Sequence, residues 1–239
     1  MMQMVHSRFN ALLSACVLSL IATAGWSQSL TWLGTLGGCC SSAHGVSDNG
    51  VVVGWATNAA GRARAFRWEN GVMQDLGTLA GYEESYALDV SADGRVVVGY
   101  IRNIPARWRA IRWENGVMQD LGTLGGGFSS AYGVSADGAV VVGVAQNAAA
   151  QSRAFRWTAS SGRMEDLNTT YASWLTNGSV LRSASAISPD GRYIVGQGYN
   201  AATGRTEAFL LDTIPEPASL IALGAGLAGL VGLRRRKQA

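Results

Sequence analysis

The chain has 239 residues, 48% of them hydrophobic and 15% charged, with 31 glycines and only four prolines. Lys and Arg number 19 against 16 Asp and Glu, but five of the cations (Arg8, Arg234, Arg235, Arg236 and Lys237) sit at the two ends. Outside the ends 14 arginines face 15 acids, so the charge does not call for a nucleic-acid partner. Two histidines and three cysteines leave almost nothing for a multi-His zinc centre, a Ser-His-Asp or Cys-His site, or a disulfide framework, and no cofactor is expected.

At the N-terminus, Arg8 precedes an apolar stretch from Ala11 to Ala24 that ends in Ala22-Thr23-Ala24. A positive start, an apolar middle and a small-x-small end predict a signal peptide over residues 1–24, cleaved after Ala24, with Ser27 the lesser site. Leu13-Ser14-Ala15-Cys16 also reads as a lipoprotein box, but most of the apolar run follows Cys16, which favours ordinary cleavage. Cleavage leaves Cys39 and Cys40, adjacent and able to form only a strained ring or intermolecular bonds, and His44, read as a loop or strand residue.

From there to residue 212 the chain repeats itself. Leu33-Gly34-Thr35-Leu36 returns at Leu76 and Leu121, and in degenerate form at Leu167-Asn168-Thr169; the starting leucines are 43, 45 and 46 residues apart. The repeats run over about 33–75, 76–120, 121–166 and 167–212. Each carries a Ser-x-Asp-Gly-type turn (Ser47-Asp48-Asn49-Gly50, then at Asp93-Gly94, Asp137-Gly138 and Asp190-Gly191). A valine run ending in Gly54, Gly99, Gly143 or Gly196 follows, then an aromatic segment such as Ala154-Phe155-Arg156-Trp157 and a Met-x-Asp-Leu segment. Asp-Gly between apolar runs signals a hairpin. The third repeat therefore reads as strands at 133–135, 140–143, 154–157 and 164–167, with Phe155 and Trp157 on one face and Arg156 on the other. No segment of the repeats has helical periodicity with caps.

Over roughly residues 30–212 these motifs resemble the repeat of extracellular HAF-family proteins. Four short strands in about 45 residues is the size of a propeller blade. The expected fold is all-β, a small four-bladed β-propeller spanning 25–212. The last repeat lacks its fourth strand, and Leu30-Thr31-Trp32-Leu33 supplies a spare copy, so pairing 30–33 with 209–211 would close the ring. An open β-solenoid, in which each repeat touches only its neighbours, is the alternative.

The Arg-Trp pairs Arg67/Trp68, Arg112/Trp113 and Arg156/Trp157 are candidate ligand contacts, stacking on sugars or gripping anionic polysaccharide. Their other reading is Trp packing between blades, with Arg paired to acids. The turn aspartates Asp93, Asp137 and Asp190 read as local caps in preference to calcium ligands. No catalytic or metal residue is assigned. Glu83, Glu84 and Asp89 break the repeat pattern and would be the acids of a polysaccharide lyase or hydrolase, the alternative to a binding module.

The last 27 residues, 213–239, combine Pro215-Glu216-Pro217, an uncharged run from Ala218 to Leu233, and the cations Arg234, Arg235, Arg236 and Lys237. The run reads as a short transmembrane segment with its cations cytoplasmic. Gly224-x-Gly226-x-x-Gly229 inside it is small-residue helix packing, since no βαβ unit surrounds it. This three-part order resembles the PEP-CTERM sorting tail of Gram-negative bacteria, which implies recognition and processing by a membrane exosortase. By that resemblance the protein is an exported cell-surface or extracellular component of an exopolysaccharide or biofilm matrix. It would bind exopolysaccharide or surface proteins and be held at the membrane by its C-terminal helix.

Overall fold

The computed structural model describes residues 28–103 and 107–214. The expected signal peptide with Ala22 and Ala24, the Pro215-Glu216-Pro217 triplet, the 218–233 segment and Arg234–Arg236 lie outside those residues. Among the described residues, no helix is long and apolar enough to cross a membrane.

Among the described residues, fifteen strands form four successive antiparallel meanders, one per repeat. The first sheet is β1 (Gly37–Val46), β2 (Val52–Asn58), β3 (Ala63–Glu69) and β4 (Val72–Asp75), hydrogen-bonded in that order. The second is β5 (Glu84–Val90), β6 (Val96–Asn103), β7 (Arg107–Glu114) and β8 (Val117–Asp120). The third is β9 (Gly125–Val134), β10 (Val140–Asn147), β11 (Ser152–Thr158) and β12 (Met164–Asp166). A single parallel bridge, Trp108 with Phe128, joins these two into one ladder. The fourth sheet has three strands, β13 (Val180–Ile187), β14 (Tyr193–Asn200) and β15 (Arg205–Asp212).

The glycine that ends each valine run has a steric cause. The first strand of every sheet carries a β-bulge opposite it, as at Ala87/Asp89 and between Ala131 and Gly133. The bulge aims a carbonyl at the second strand: a methyl group at Gly99 would lie 2.0 Å from the Tyr86 oxygen, and one at Gly143 2.1 Å from the Ser130 oxygen. Only glycine leaves room.

The turns are tied by side chains. Ser91 Oγ accepts the Val96 N–H and donates to Asp93, whose Oδ1 also accepts the Arg95 N–H; Ser135 and Asp137 repeat this with Val140 and Ala139. Successive turns are also linked through the backbone, since the N–H groups of Asp48, Ala92 and Ala136 donate to the carbonyls of Ala92, Ala136 and Pro189.

Sheets stack in chain order around three apolar joints. The first joint packs Val53, Ala65 and Leu76 against Ala87, Val90, Val97 and Trp113. The second repeats it with Val98, Ala110 and Leu121 against Ala131, Val134, Val141 and Trp157. The third sets Val142, Ala154 and Leu167 against Ala184, Ile194 and Leu211. The crossovers at Leu76 and Leu121 are each held by a buried serine: Ser85 Oγ donates to the Gly77 carbonyl and accepts the Ala65 N–H, and Ser129 does the same with Gly122 and Ala110.

Two expectations are corrected. Residues 28–35 form no strand, and β15 stays the edge of a three-stranded sheet, so the ring-closing strand at 30–33 is not seen. The array of sheets is open: Val46 of the first sheet and Leu210 of the fourth are exposed where their counterparts in other sheets are covered. Leu167 does not end a strand but begins a one-turn helix, α1 (Leu167–Thr170), because the Asp166 carboxylate accepts the Asn168 N–H and caps it. Asn168 then clips β13 through both its amide atoms to Leu181.

Candidate polymer-binding surface

Aromatic side chains at one end of the first three sheets form a row. Tyr86 on β5 is paired in register with Tyr100 on β6, and their rings stack at 4.8 Å between centroids and 16° between planes. Trp108 on β7, whose register partner is Arg102, stacks on the far side of Tyr100 at 4.5 Å and 8°. Trp55 on β2 meets Tyr86 at 5.9 Å with a 58° tilt, and Phe128 on β9 meets Trp108 at 5.6 Å with a 40° tilt. All five rings are half-buried. The row crosses from the first sheet to the third, and its central three rings belong to the second.

A polar cluster borders the row. The Arg102 guanidinium lies 5.1 Å from the Tyr86 ring centre and 5.7 Å from that of Trp108. Its Nε donates to Glu84 Oε2 at 2.5 Å and its Nη2 to the Tyr86 hydroxyl at 2.9 Å, while that hydroxyl donates to Glu84 at 3.0 Å. Burial, with the Glu84 charge beside it, pushes the Tyr86 phenol up to about 12. Burial alone would raise the Glu84 carboxyl, but hydrogen bonds from Arg102 and Tyr86 and the charge of Arg102 outweigh it and hold the group below its usual range. The cluster therefore keeps a fixed pattern of charge and donors through neutral pH. Glu84 has no proton to give there, as a general acid would need.

Glu83 pairs with Arg62, and its backbone carbonyl accepts from Arg64 Nη1 at 2.6 Å. Asp89, the other acid that breaks the repeat, occupies the bulge of β5. Its carboxylate accepts the Val90 and Val134 N–H groups, both at 2.9 Å, tying the second sheet to the third. Burial raises its pKa in spite of those bonds.

The Arg-Trp pairs sit at the joints. Arg67 Nε donates to the Gly94 carbonyl at 2.9 Å and its Nη1 to Glu69; Arg112 reaches Gly138 and Glu114 in the same way and lies 5.6 Å from the Trp157 ring centre. Arg156 pairs with Glu165 and reaches the Tyr171 hydroxyl. Trp113 and Trp157 are buried, and Trp68, on the first sheet with no sheet before it, is half-exposed. A polymer could stack on Trp113 or Trp157 only if the sheets parted.

His44 Nδ1 lies 3.0 Å from the Ala87 carbonyl, between the first two sheets. Cys39 and Cys40 are free, exposed thiols on β1. The Cys40 thiol and the Thr57 hydroxyl hydrogen-bond to Cys39 and lower its pKa, while that of Cys40 is raised.

The aromatic row escaped the motif reading because it is made of departures from the repeat. Tyr86 stands where the first and third sheets have Ser42 and Ser130; Trp108 stands where they have Ala63 and Ser152. The available signal was this concentration of Glu84, Tyr86, Tyr100, Arg102 and Trp108 in one repeat.

Two solved structures resemble the sheet array. TolB from Acinetobacter baumannii is 11% identical with a TM-score of 0.48, the match covering 74% of this chain and 45% of that one. A puromycin-hydrolyzing peptidase of Mycobacterium tuberculosis is 14% identical with a TM-score of 0.44, over 82% of this chain and 32% of that one. The chain thus spans less than half the length of either. No curated protein sequence matches it. Residues 213–237 match the PEP-CTERM protein-sorting motif, which places an exosortase sorting tail immediately after β15.

Proposed function

We propose that this protein is a non-catalytic module of the cell surface or extracellular matrix, delivered by its sorting tail, and that the row from Trp55 to Phe128 binds an extracellular polysaccharide. The PEP-CTERM match at 213–237 carries the location. The aromatic row with its Arg102–Glu84–Tyr86 cluster supports the ligand class. Sugar rings present apolar C–H faces and hydroxyl edges, and rigid Tyr and Trp rings meet the first at low entropic cost. Arg102, Glu84 and the Tyr86 hydroxyl offer donors and acceptors to the second. HAF-type repeats, four blades and a C-terminal membrane helix belong to the same reading, as do surface proteins as a second class of partner.

Binding of the full-length chain to a panel of neutral and anionic polysaccharides tests this. Trp108→Ala and Arg102→Gln are each expected to weaken binding to the retained polymer at least tenfold without loss of fold, while Arg95→Gln, distant in the repeat and exposed, leaves it unchanged. Equal binding by all variants would remove the row from the account. Release of reducing ends that disappears in Glu83→Gln or Glu84→Gln would replace the binding module with a lyase or hydrolase.

A further inference from the structure

The two ends of the sheet array are complementary halves of a joint that the chain builds three times. The face each sheet turns to the following one carries a valine of the second strand and an alanine of the third: Val53 with Ala65, Val98 with Ala110, Val142 with Ala154, all buried. The fourth sheet has Val195 and Ala208 at these positions, and Val195 is 40% exposed. Beside them Leu210, 68% exposed, stands where the other sheets carry Arg67, Arg112 and Arg156. The opposite half of the joint is Ala87 with Val90, Ala131 with Val134 and Ala184 with Ile187; in the first sheet it is Ala43 with Val46, and Val46 is 67% exposed.

A repeat that ended the array in water would be more polar than its neighbours. The fourth sheet follows that rule only in part: Tyr193 and Gln197 replace Val140 and Val144, but Leu210 replaces Arg and Pro189 carries no N–H where Asp48, Ala92 and Ala136 donate to the next turn. It has dropped the polar ties and kept an apolar face.

We propose that the first sheet of a second copy of this chain covers the fourth sheet, continuing the array head to tail. Faces with the same valine–alanine and alanine–valine pairs mate at each internal joint, so a second copy brings a matching apolar surface. The sequence ahead of the first sheet fits this arrangement: Leu30-Thr31-Trp32-Leu33 precedes Gly34-Thr35 as Met73–Leu76 precedes Gly77-Thr78, and supplies the kind of strand that the open edge of β15 lacks. Such a joint is heterologous and extends to chains of copies unless it closes into a ring.

Sedimentation velocity of the full-length chain in mild detergent, over a range of concentrations, tests this with Val46→Glu and Leu210→Glu. Both positions are exposed in the single chain, so both variants should keep the wild-type circular dichroism and melting. The wild type is expected to form dimers and longer species as concentration rises, and each variant alone to stay monomeric. An equal mixture of the two variants should form dimers and nothing larger, because each supplies the face that the other has lost. A wild type that stays monomeric throughout overturns the proposal. So does association that survives both substitutions, as contact through the C-terminal tails would, and so does a mixture that fails to pair.

Discussion

At the residue scale, the repeat is held by small polar side chains placed where the backbone would otherwise lack partners. The Asp93 and Asp137 carboxyls lie below the usual range because a serine hydroxyl and an amide N–H both donate to the charged form. A carboxylate lowered on folding stabilises the folded chain above its unfolded pKa, about 3.9, and that contribution is lost as pH falls through the lower folded value. Asp89 has the opposite sign: its pKa is raised, so its charge opposes folding above that value and the opposition is relieved on acidification. The first repeat already has Asn49 in the Asp137 position, with Ser47 Oγ donating to it. Asp137→Asn should therefore keep its neutral-pH stability within about 1 kcal/mol and remove one titrating group from the acid limb of the stability curve. Asp137→Ala should lower stability by about 1 kcal/mol at neutral pH, because the Ser135 hydroxyl and Ala139 N–H both lose an acceptor. Urea titrations between neutral and acid pH check both.

At the element scale, the bulge and the glycine opposite it decide the shape of each sheet. Gly143→Ala would place a methyl group against the Ser130 carbonyl and also 2.8 Å from the Phe155 ring, so it is expected to cost about 3 kcal/mol or prevent folding. Gly127→Ala, on β9 with nothing within 4 Å of its added methyl, should be neutral within about 0.5 kcal/mol in the same denaturation experiment. Tyr100→Ala, which removes the ring stacked between Tyr86 and Trp108, should lower stability by about 2 kcal/mol and leave the row in two pieces.

Strands and turns were legible in the sequence because each rests on a local rule: period-2 alternation around Phe155 and Trp157, and the Asp-Gly hairpins. The one-turn helix at Leu167 was not, since it depends on Asp166 finding the Asn168 N–H and on Asn168 finding Leu181. The aromatic row was not legible either, because its five rings come from five strands in three sheets and meet only through register. Ring closure was expected from a spare strand at 30–33. Whether four repeats close depends on how far each sheet turns on the one before, and a strand-level pattern does not encode that turn.

At the scale of the whole molecule, stability spreads over three similar joints, so in the single chain the two end sheets, each covered on one side only, should open before the inner two. Hydrogen exchange should show β14 and β15 losing protection before β6 and β10, and equal protection of all four strands would contradict this. The central proposal concerns the ends of the chain: a leader at 1–24 would direct export and an exosortase would read the tail at 213–237, leaving the sheet array outside the cell. A short glycine-rich segment such as 218–233 would be a weak permanent anchor that lets another membrane protein approach closely, and the four cations at its end would resist being drawn into a bilayer at about a few kcal/mol each. Intact-mass spectrometry of the protein recovered from cells and medium of a host with an exosortase reads both termini at once. The account predicts a mature chain that starts at Gly25 and ends near Pro215-Glu216-Pro217; recovery of only full-length protein ending at Ala239 would contradict it.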